Sequence, residues 1–180
     1  PFDFDTYFAS EMECEIVTTN CVTGKAEYMT ERSDRDRLMK LCRASSSMPL
    51  VSPIVNVDGV PYLDGGLADS IPVKRAQALG NEKIIVILTR NPGYRKKPIS
   101  RGVKSLYKRA YKAIKRSMIY NQQMELVEKL EDEGKIFVIR PLIPTVSRLE
   151  KNYDALMHFY EHGYRLMKRQ YQALQEYMEK

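Results

Sequence analysis

No tryptophan occurs in the 180 residues, histidine appears twice, and cysteine only at positions 14, 21 and 42. An odd number of thiols at these spacings matches neither a disulfide framework nor a Cys-x-x-Cys metal site, which points to a reducing compartment. Also missing is any apolar run near the ~20 residues that a membrane-spanning helix needs. No signal peptide is visible at the start, so a cytoplasmic protein is expected. Methionine is absent from position 1, where the chain opens on Pro1-Phe2-Asp3, and a fragment, a processed chain or a trimmed one is expected. Acidic residues are absent from the whole stretch between Glu82 and Glu125, while Arg95, Lys96, Lys97, Arg101, Lys104, Lys108, Arg109, Lys112, Lys115 and Arg116 fall inside it. The net charge of +6 is therefore local, and it suggests contact with an anionic partner.

What is present reads as an ordinary globular chain, 43% hydrophobic and 29% charged. Cys14–Thr19 alternates with β-favouring residues, and Thr23-Gly24-Lys25 turns it into a second short strand over Ala26–Met29. Ser33 stands where an N-cap belongs, ahead of acidic Asp34 and Asp36 and of Leu38, Met39, Leu41 and Cys42, which predicts a helix over Asp34–Arg43. Pro72 and Gly80 bracket a short helix over Val73–Leu79. The unbroken β-branched run within Lys83–Thr89 predicts a strand buried on both faces, as in a parallel sheet covered by helices. Tyr107, Tyr111, Ile114 and Met118 at helical spacing, with Lys104, Lys108, Lys112 and Lys115 beside them, predict a basic amphipathic helix from Val103. A helical pattern continues through Met124–Leu130, Gly134 stops it, and Ile136–Ile139 reads as another strand. Leu149, Tyr153, Leu156, Tyr160, Tyr164, Met167, Tyr171, Leu174 and Met178 then trace one long helix. Strand, helix and strand in alternation indicate an α/β fold.

Residues 44–73 carry the densest information. Two apolar runs, Ile54–Val57 and Val60–Leu63, flank Asp58-Gly59, the strongest short-range signal for a tight hairpin. The hairpin delivers Asp64 at a strand end, followed by Gly65 and Gly66, which can take positive φ or admit another backbone or a substrate close to the carboxylate. Asp64 is thus either a displayed carboxylate or the start of a turn.

The ordered set Ser45-Ser46-Ser47-Met48-Pro49, the hairpin, Tyr62-Leu63-Asp64-Gly65-Gly66 and Ile71-Pro72-Val73 resembles the second half of a patatin-like phospholipase domain of the bacterial branch. Phe2-Asp3-Phe4-Asp5, Thr18-Thr19-Asn20 and the region Pro141–Asn152 extend the likeness over most of the chain. The resemblance implies the C-terminal part of a three-layer α/β sandwich with a mostly parallel sheet, plus a basic helix and a long C-terminal helix. It implies that residues 1–92 form the C-terminal part of the catalytic core, and that residues 93–180 form the basic loop and helix, the last strand and the tail helix on the same domain. It further implies a serine hydrolase of phospholipids or other acyl esters with no cofactor, in which Asp64 is the general base of a Ser-Asp dyad and Gly65 and Gly66 are motif glycines. Seclusion of such a base among Tyr62, Leu63 and Leu67 would raise its pKa toward neutrality.

A departure from the family limits that activity. The chain contains no Gly-x-Ser-x-Gly and no glycine-rich oxyanion loop. Alone, it is expected to be inactive, with the serine on a missing N-terminal segment or a second chain, or lost altogether. His158-Phe159-Tyr160-Glu161-His162 fits a two-histidine zinc pattern, but no third ligand is evident and two solvated histidines are expected. With no other histidine in the chain, a dyad is favoured over a triad.

The alternative function is a non-catalytic module that binds anionic membrane or a partner protein through Val103–Met118 and the tail helix. Lys104, Lys108, Lys112 and Lys115 would then contact the inner membrane face, each contributing about 1 kcal/mol at an anionic surface. No RNA- or DNA-binding motif accompanies the lysines, so nucleic acid is not expected as a partner. Membrane contact predicts co-sedimentation with anionic but not zwitterionic liposomes, weakening as salt rises; failure to bind at any salt removes it.

Overall fold

The structure of the protein, a computed structural model, describes residues 2–49, 51–97, 116–147 and 149–180. It divides into two compact units, residues 1–71 with 96–123, and residues 72–95 with 124–180.

The first unit opens with helix α1 (Phe4–Ala9), whose first turn is closed by the Asp3 carboxylate accepting from the Thr6 N–H at 3.0 Å. Six residues are too few to leave a periodic signal, and the sequence pattern does not reveal this helix. Strands β1 (Ile16–Asn20) and β2 (Ala26–Met29) pair antiparallel, as their connecting turn requires. Helix α2 follows over Arg35–Ser45, and then strands β3 (Val55–Val57) and β4 (Val60–Asp64). The four strands form one antiparallel sheet in the order β2-β1-β4-β3. Asp58 and Gly59, at φ 52° and 84°, make the β3–β4 turn, the left-handed pair that a two-residue hairpin demands.

One face of this sheet carries the core. Leu41 and Ala44 of α2 are completely buried against Val55, Val57 and Tyr62, with Ile16, Met29 and Val60 at the margin. Removing a leucine side chain such as Leu41 from water contributes about 1.5–3 kcal/mol. A smaller cluster joins Leu63, Leu67 and Cys21. The N-cap of α2 is Asp34, not Ser33: Asp34 accepts from the N–H groups of Asp36 and Arg37, whereas Ser33 is drawn two residues back onto the Glu31 carboxylate. That carboxylate takes the backbone N–H groups of Arg32, Ser33 and Asp34 and pairs with Arg37, which also reaches Asp58 in the hairpin turn. The entry to the helix and the tip of the hairpin are thereby joined.

The second unit contains α3 (Val73–Ala78), β5 (Ile85–Ile87), β6 (Phe137–Ile139) and α5 (Tyr153–Glu179); helix α4 (Arg116–Asp132) contributes its C-terminal half. Strands β5 and β6 pair in parallel, with Ile85 opposite Phe137. Gly80 and Gly134, at φ 79° and 67°, end α3 and α4 as their positions in the sequence predict. The strand expected over 83–89 is shorter and is not buried on both faces. Ile84, Val86 and Leu88 are buried, while Ile85 and Ile87 are 43% and 74% exposed. Among the described residues only β6 pairs with β5. Helix α5 packs on β6, buries Leu166 and leaves Tyr153, Tyr160, Tyr164 and Tyr171 exposed. Its Tyr177 hydroxyl accepts from the Ile84 N–H at 2.9 Å and sits 3.1 Å from the Lys135 carbonyl, fastening the helix to the start of both strands.

The mixed α/β class is the one the sequence implies. Among the described residues parallel pairing is confined to β5 and β6, because a parallel partner needs a long crossover, and the turns joining β1 to β2 and β3 to β4 permit only antiparallel hairpins.

Glu31 generates a pH prediction. Hydrogen bonds from the Asp34 and Ser33 backbone N–H groups, followed by Arg37, hold its pKa down from an ordinary 4.5 to about 2. A depressed carboxylate stabilises the fold above its ordinary value, and that contribution is lost as pH falls through about 2. Melting curves of the parent and Glu31→Gln should therefore differ most at neutral pH and converge as pH drops from 4.5 to about 2.

Candidate active site

Asp64 is the last residue of β4 and stands opposite Thr18 of β1 in the antiparallel register. Its backbone is held on both sides. The N–H donates to the Ser47 carbonyl at 2.9 Å, and the carbonyl accepts from the Thr19 hydroxyl at 2.8 Å. Thr18 and Thr19 are completely buried and Ser47 nearly so, so these bonds are made inside the protein. The Ser47 hydroxyl donates to the Arg43 carbonyl at 2.8 Å, which sets the turn that leaves α2.

The chain then enters a single 3-10 turn over Gly65–Leu67, and the Asp64 side chain caps it, Oδ1 accepting from the Gly66 N–H at 2.7 Å. One carboxylate oxygen is thereby oriented. No hydrogen bond occupies the other among the described residues, and the residue is half-buried. Gly65 is required for a different reason. A Cβ there would lie 2.2 Å from the Val17 carbonyl oxygen and 2.6 Å from its carbon, inside the backbone of β1. At Gly66 a Cβ would meet the Asp64 carboxylate itself at 3.1 Å. Neither glycine has positive φ, so the motif uses glycine for close approach and not for a left-handed turn.

Tyr62, Leu63 and Leu67 are all buried, on two different clusters. The Tyr62 hydroxyl donates to Glu27 at 2.6 Å, and burial followed by that carboxylate pushes its pKa up to about 12. Lys104, Lys108, Lys112 and Lys115 lie outside the described residues. Of the histidine pair on α5, His162 uses Nε2 to accept the Leu142 N–H at 3.1 Å, so one potential ligand atom is engaged in backbone capture. Among the described residues no three His, Cys, Asp or Glu side chains come together as a metal site. No described helix is long and apolar enough to cross a membrane. The three cysteines are free thiols.

Sequence reasoning missed the supporting set. Thr19 and Ser47 lie inside stretches that resemble the family, but nothing local distinguishes a buried threonine that pins a strand end from one in an ordinary strand. Asp69 is also buried and reads locally as one more turn residue. Its N–H donates to the Gly65 carbonyl at 2.9 Å, and the neighbouring Ser70 hydroxyl donates to the Gly66 carbonyl at 2.6 Å.

Comparison with known proteins places a family boundary across this architecture. Residues 14–76 match the patatin-like phospholipase family, and residues 107–179 match a domain of unknown function, DUF6363. An uncharacterized protein of Escherichia coli K12, YjjU, is 34% identical over 95 residues, covering 45% of this chain. The matched stretch is 27% of that relative's length. The Asp64-Gly65-Gly66 site lies wholly within the patatin-like segment.

Because the obstacle at Gly65 is backbone, Gly65→Ala should destabilise the protein by about 3 kcal/mol, the upper end of the overpacking range. Gly66→Ala, which meets a side chain instead, should cost less. Denaturant midpoints of the two variants check the order.

Proposed function

We propose that this chain is part of a serine lipid acyl hydrolase in which Asp64 is the general base of a Ser-Asp dyad, the nucleophilic serine being supplied from outside these 180 residues. The observation that carries the reading is the Asp64 carboxylate, positioned within a patatin-like phospholipase segment with one oxygen fixed by the Gly66 N–H and the other without a hydrogen bond among the described residues. The chain's two histidines, His158 and His162, stand more than 90 residues beyond the motif in the sequence, which favours a two-residue arrangement.

In this mechanism a serine Oγ attacks the carbonyl carbon of an acyl ester while its proton passes to the free oxygen of Asp64. The tetrahedral intermediate collapses to an acyl-enzyme as the carboxyl returns that proton to the leaving alkoxide. Water then repeats the sequence, releasing the fatty acid and restoring the serine. A serine hydroxyl is a poor nucleophile without such a base, and general-base assistance contributes roughly 10²–10⁴-fold. Positioning matters because an ordinary aspartate, with a pKa near ~3.9, has little proton affinity to offer. The oxyanion donors belong to the same supplied segment as the serine, and each contributes roughly 2.7–4 kcal/mol.

The substrate class is a phospholipid or another acyl ester. The basic run through Lys104, Lys108, Lys112 and Lys115 would hold the enzyme against the anionic surface in which such substrates lie.

The test is made on the polypeptide that joins this chain to a Gly-x-Ser-x-Gly segment. It should hydrolyse a short-chain ester and accept a fluorophosphonate on serine, whereas residues 1–180 alone should do neither. Asp64→Asn should lower kcat by roughly 10²–10⁴-fold. Turnover retained in that variant refutes the dyad.

A further inference from the structure

The turn that bears Asp64 is braced from behind by a residue of the other family segment. Gln123, on α4, donates through Nε2 to Asp69 Oδ1 at 2.5 Å and accepts through Oε1 from the Ser70 and Ile71 N–H groups, both at 3.1 Å. The second oxygen of Asp69 accepts from the Tyr28 hydroxyl of β2, also at 2.5 Å. One amide side chain thus satisfies a buried carboxylate and two consecutive backbone donors, using both ends of its dipole. The bonds continue inward. The Asp69 N–H holds the Gly65 carbonyl at 2.9 Å, the Ser70 hydroxyl holds the Gly66 carbonyl at 2.6 Å, and the Gly66 N–H orients Asp64 at 2.7 Å.

We infer that Gln123 is a positioning residue for the Asp64 carboxylate, and that the region matching DUF6363 supplies part of the hydrolase site. Gln123 lies within residues 107–179, while Asp64 and Asp69 lie within residues 14–76. The inference rests on the dyad reading for its catalytic consequence and on geometry alone for the clamp. Among the described residues the Asp64 carboxylate is bonded only within its own motif, and a 3-10 turn of three residues has little rigidity of its own. Rigidity comes from Gln123 on α4 and Tyr28 on β2, two regular elements that grip Asp69 from different sides. Loss of Gln123 would leave Asp69, the Ser70 N–H and the Ile71 N–H without these partners, and the turn would relax toward water.

The experiment uses the serine-bearing polypeptide. Gln123→Leu keeps the side-chain volume and removes all three bonds. Hydrogen exchange of residues 65–71 should accelerate, and kcat should fall roughly ten- to a hundredfold with KM changed by less than about twofold, the signature of a misplaced group. Gln123→Glu places a second carboxylate against Asp69 at high pH but regains a donor when protonated. Its kcat relative to the parent should therefore recover as pH falls from about 8 to about 5. If Gln123→Leu does not fold, Tyr28→Phe, which removes the hydroxyl that donates to Asp69, is read in the same way. Unchanged exchange overturns the clamp; faster exchange with unchanged kcat, or a pH-independent Gln123→Glu ratio, overturns the positioning role. Turnover retained in Asp64→Asn removes the dyad and the positioning role together. The exchange data still report on the clamp, so the two failures are distinguishable.

Discussion

The passage of Gly65 against the Val17 carbonyl is the constraint on which the site depends. It lets the end of β4 lie against β1 so closely that no side chain could intervene, and it brings Asp64 to a fixed point on the sheet. The neighbouring polar groups follow from that contact. With the two strands this close, the Thr19 hydroxyl reaches the Asp64 carbonyl and Ser47 reaches its N–H, so the backbone at the motif is satisfied without solvent. A carboxylate at this position has little freedom beyond rotation of its own side chain, and the Gly66 N–H removes most of that.

The second glycine and the turn after it connect this fixed point to the rest of the first unit. Gly66 sits between two demands, its N–H on the Asp64 carboxylate and its carbonyl on the Ser70 hydroxyl. Ser70 and Asp69 in turn depend on Gln123, more than 50 residues later in the chain. The hydrophobic core under α2 does not supply this restraint; it stabilises the sheet as a whole through Leu41, Ala44, Val55 and Val57. The division of labour is physical. Apolar burial is non-directional and holds layers together, whereas orienting a carboxylate requires hydrogen bonds with defined angles.

The elements most legible in the sequence are those encoded by neighbours. Asp58-Gly59 fixes the hairpin because both residues tolerate left-handed backbone, and Gly80 and Gly134 end their helices for the same reason. The spacing of Leu38 and Leu41 reveals α2, although its cap falls one residue later than expected because the Ser33 hydroxyl is turned to the Glu31 carboxylate while Asp34 accepts the helix N–H groups. The β-branched run at 83–89 identifies a strand and its parallel pairing, yet not its exposure, because periodicity records which residues are apolar and not what covers them. The zinc-like histidine spacing fares no better, since one imidazole is engaged by a backbone N–H that no motif anticipates.

By itself, then, the sequence determined the hairpin, the helices long enough to show a period, the mixed α/β class and the position of the Asp-Gly-Gly motif. Each of these is set by propensities and backbone sterics acting over a few residues. Only the tertiary structure decided why Gly65 is needed, that the Thr19 hydroxyl and the Ser47 carbonyl hold Asp64, and that Gln123 braces its turn. Those facts are contacts between residues 17 to 53 apart in the chain, and a contact over that separation leaves no trace in local composition.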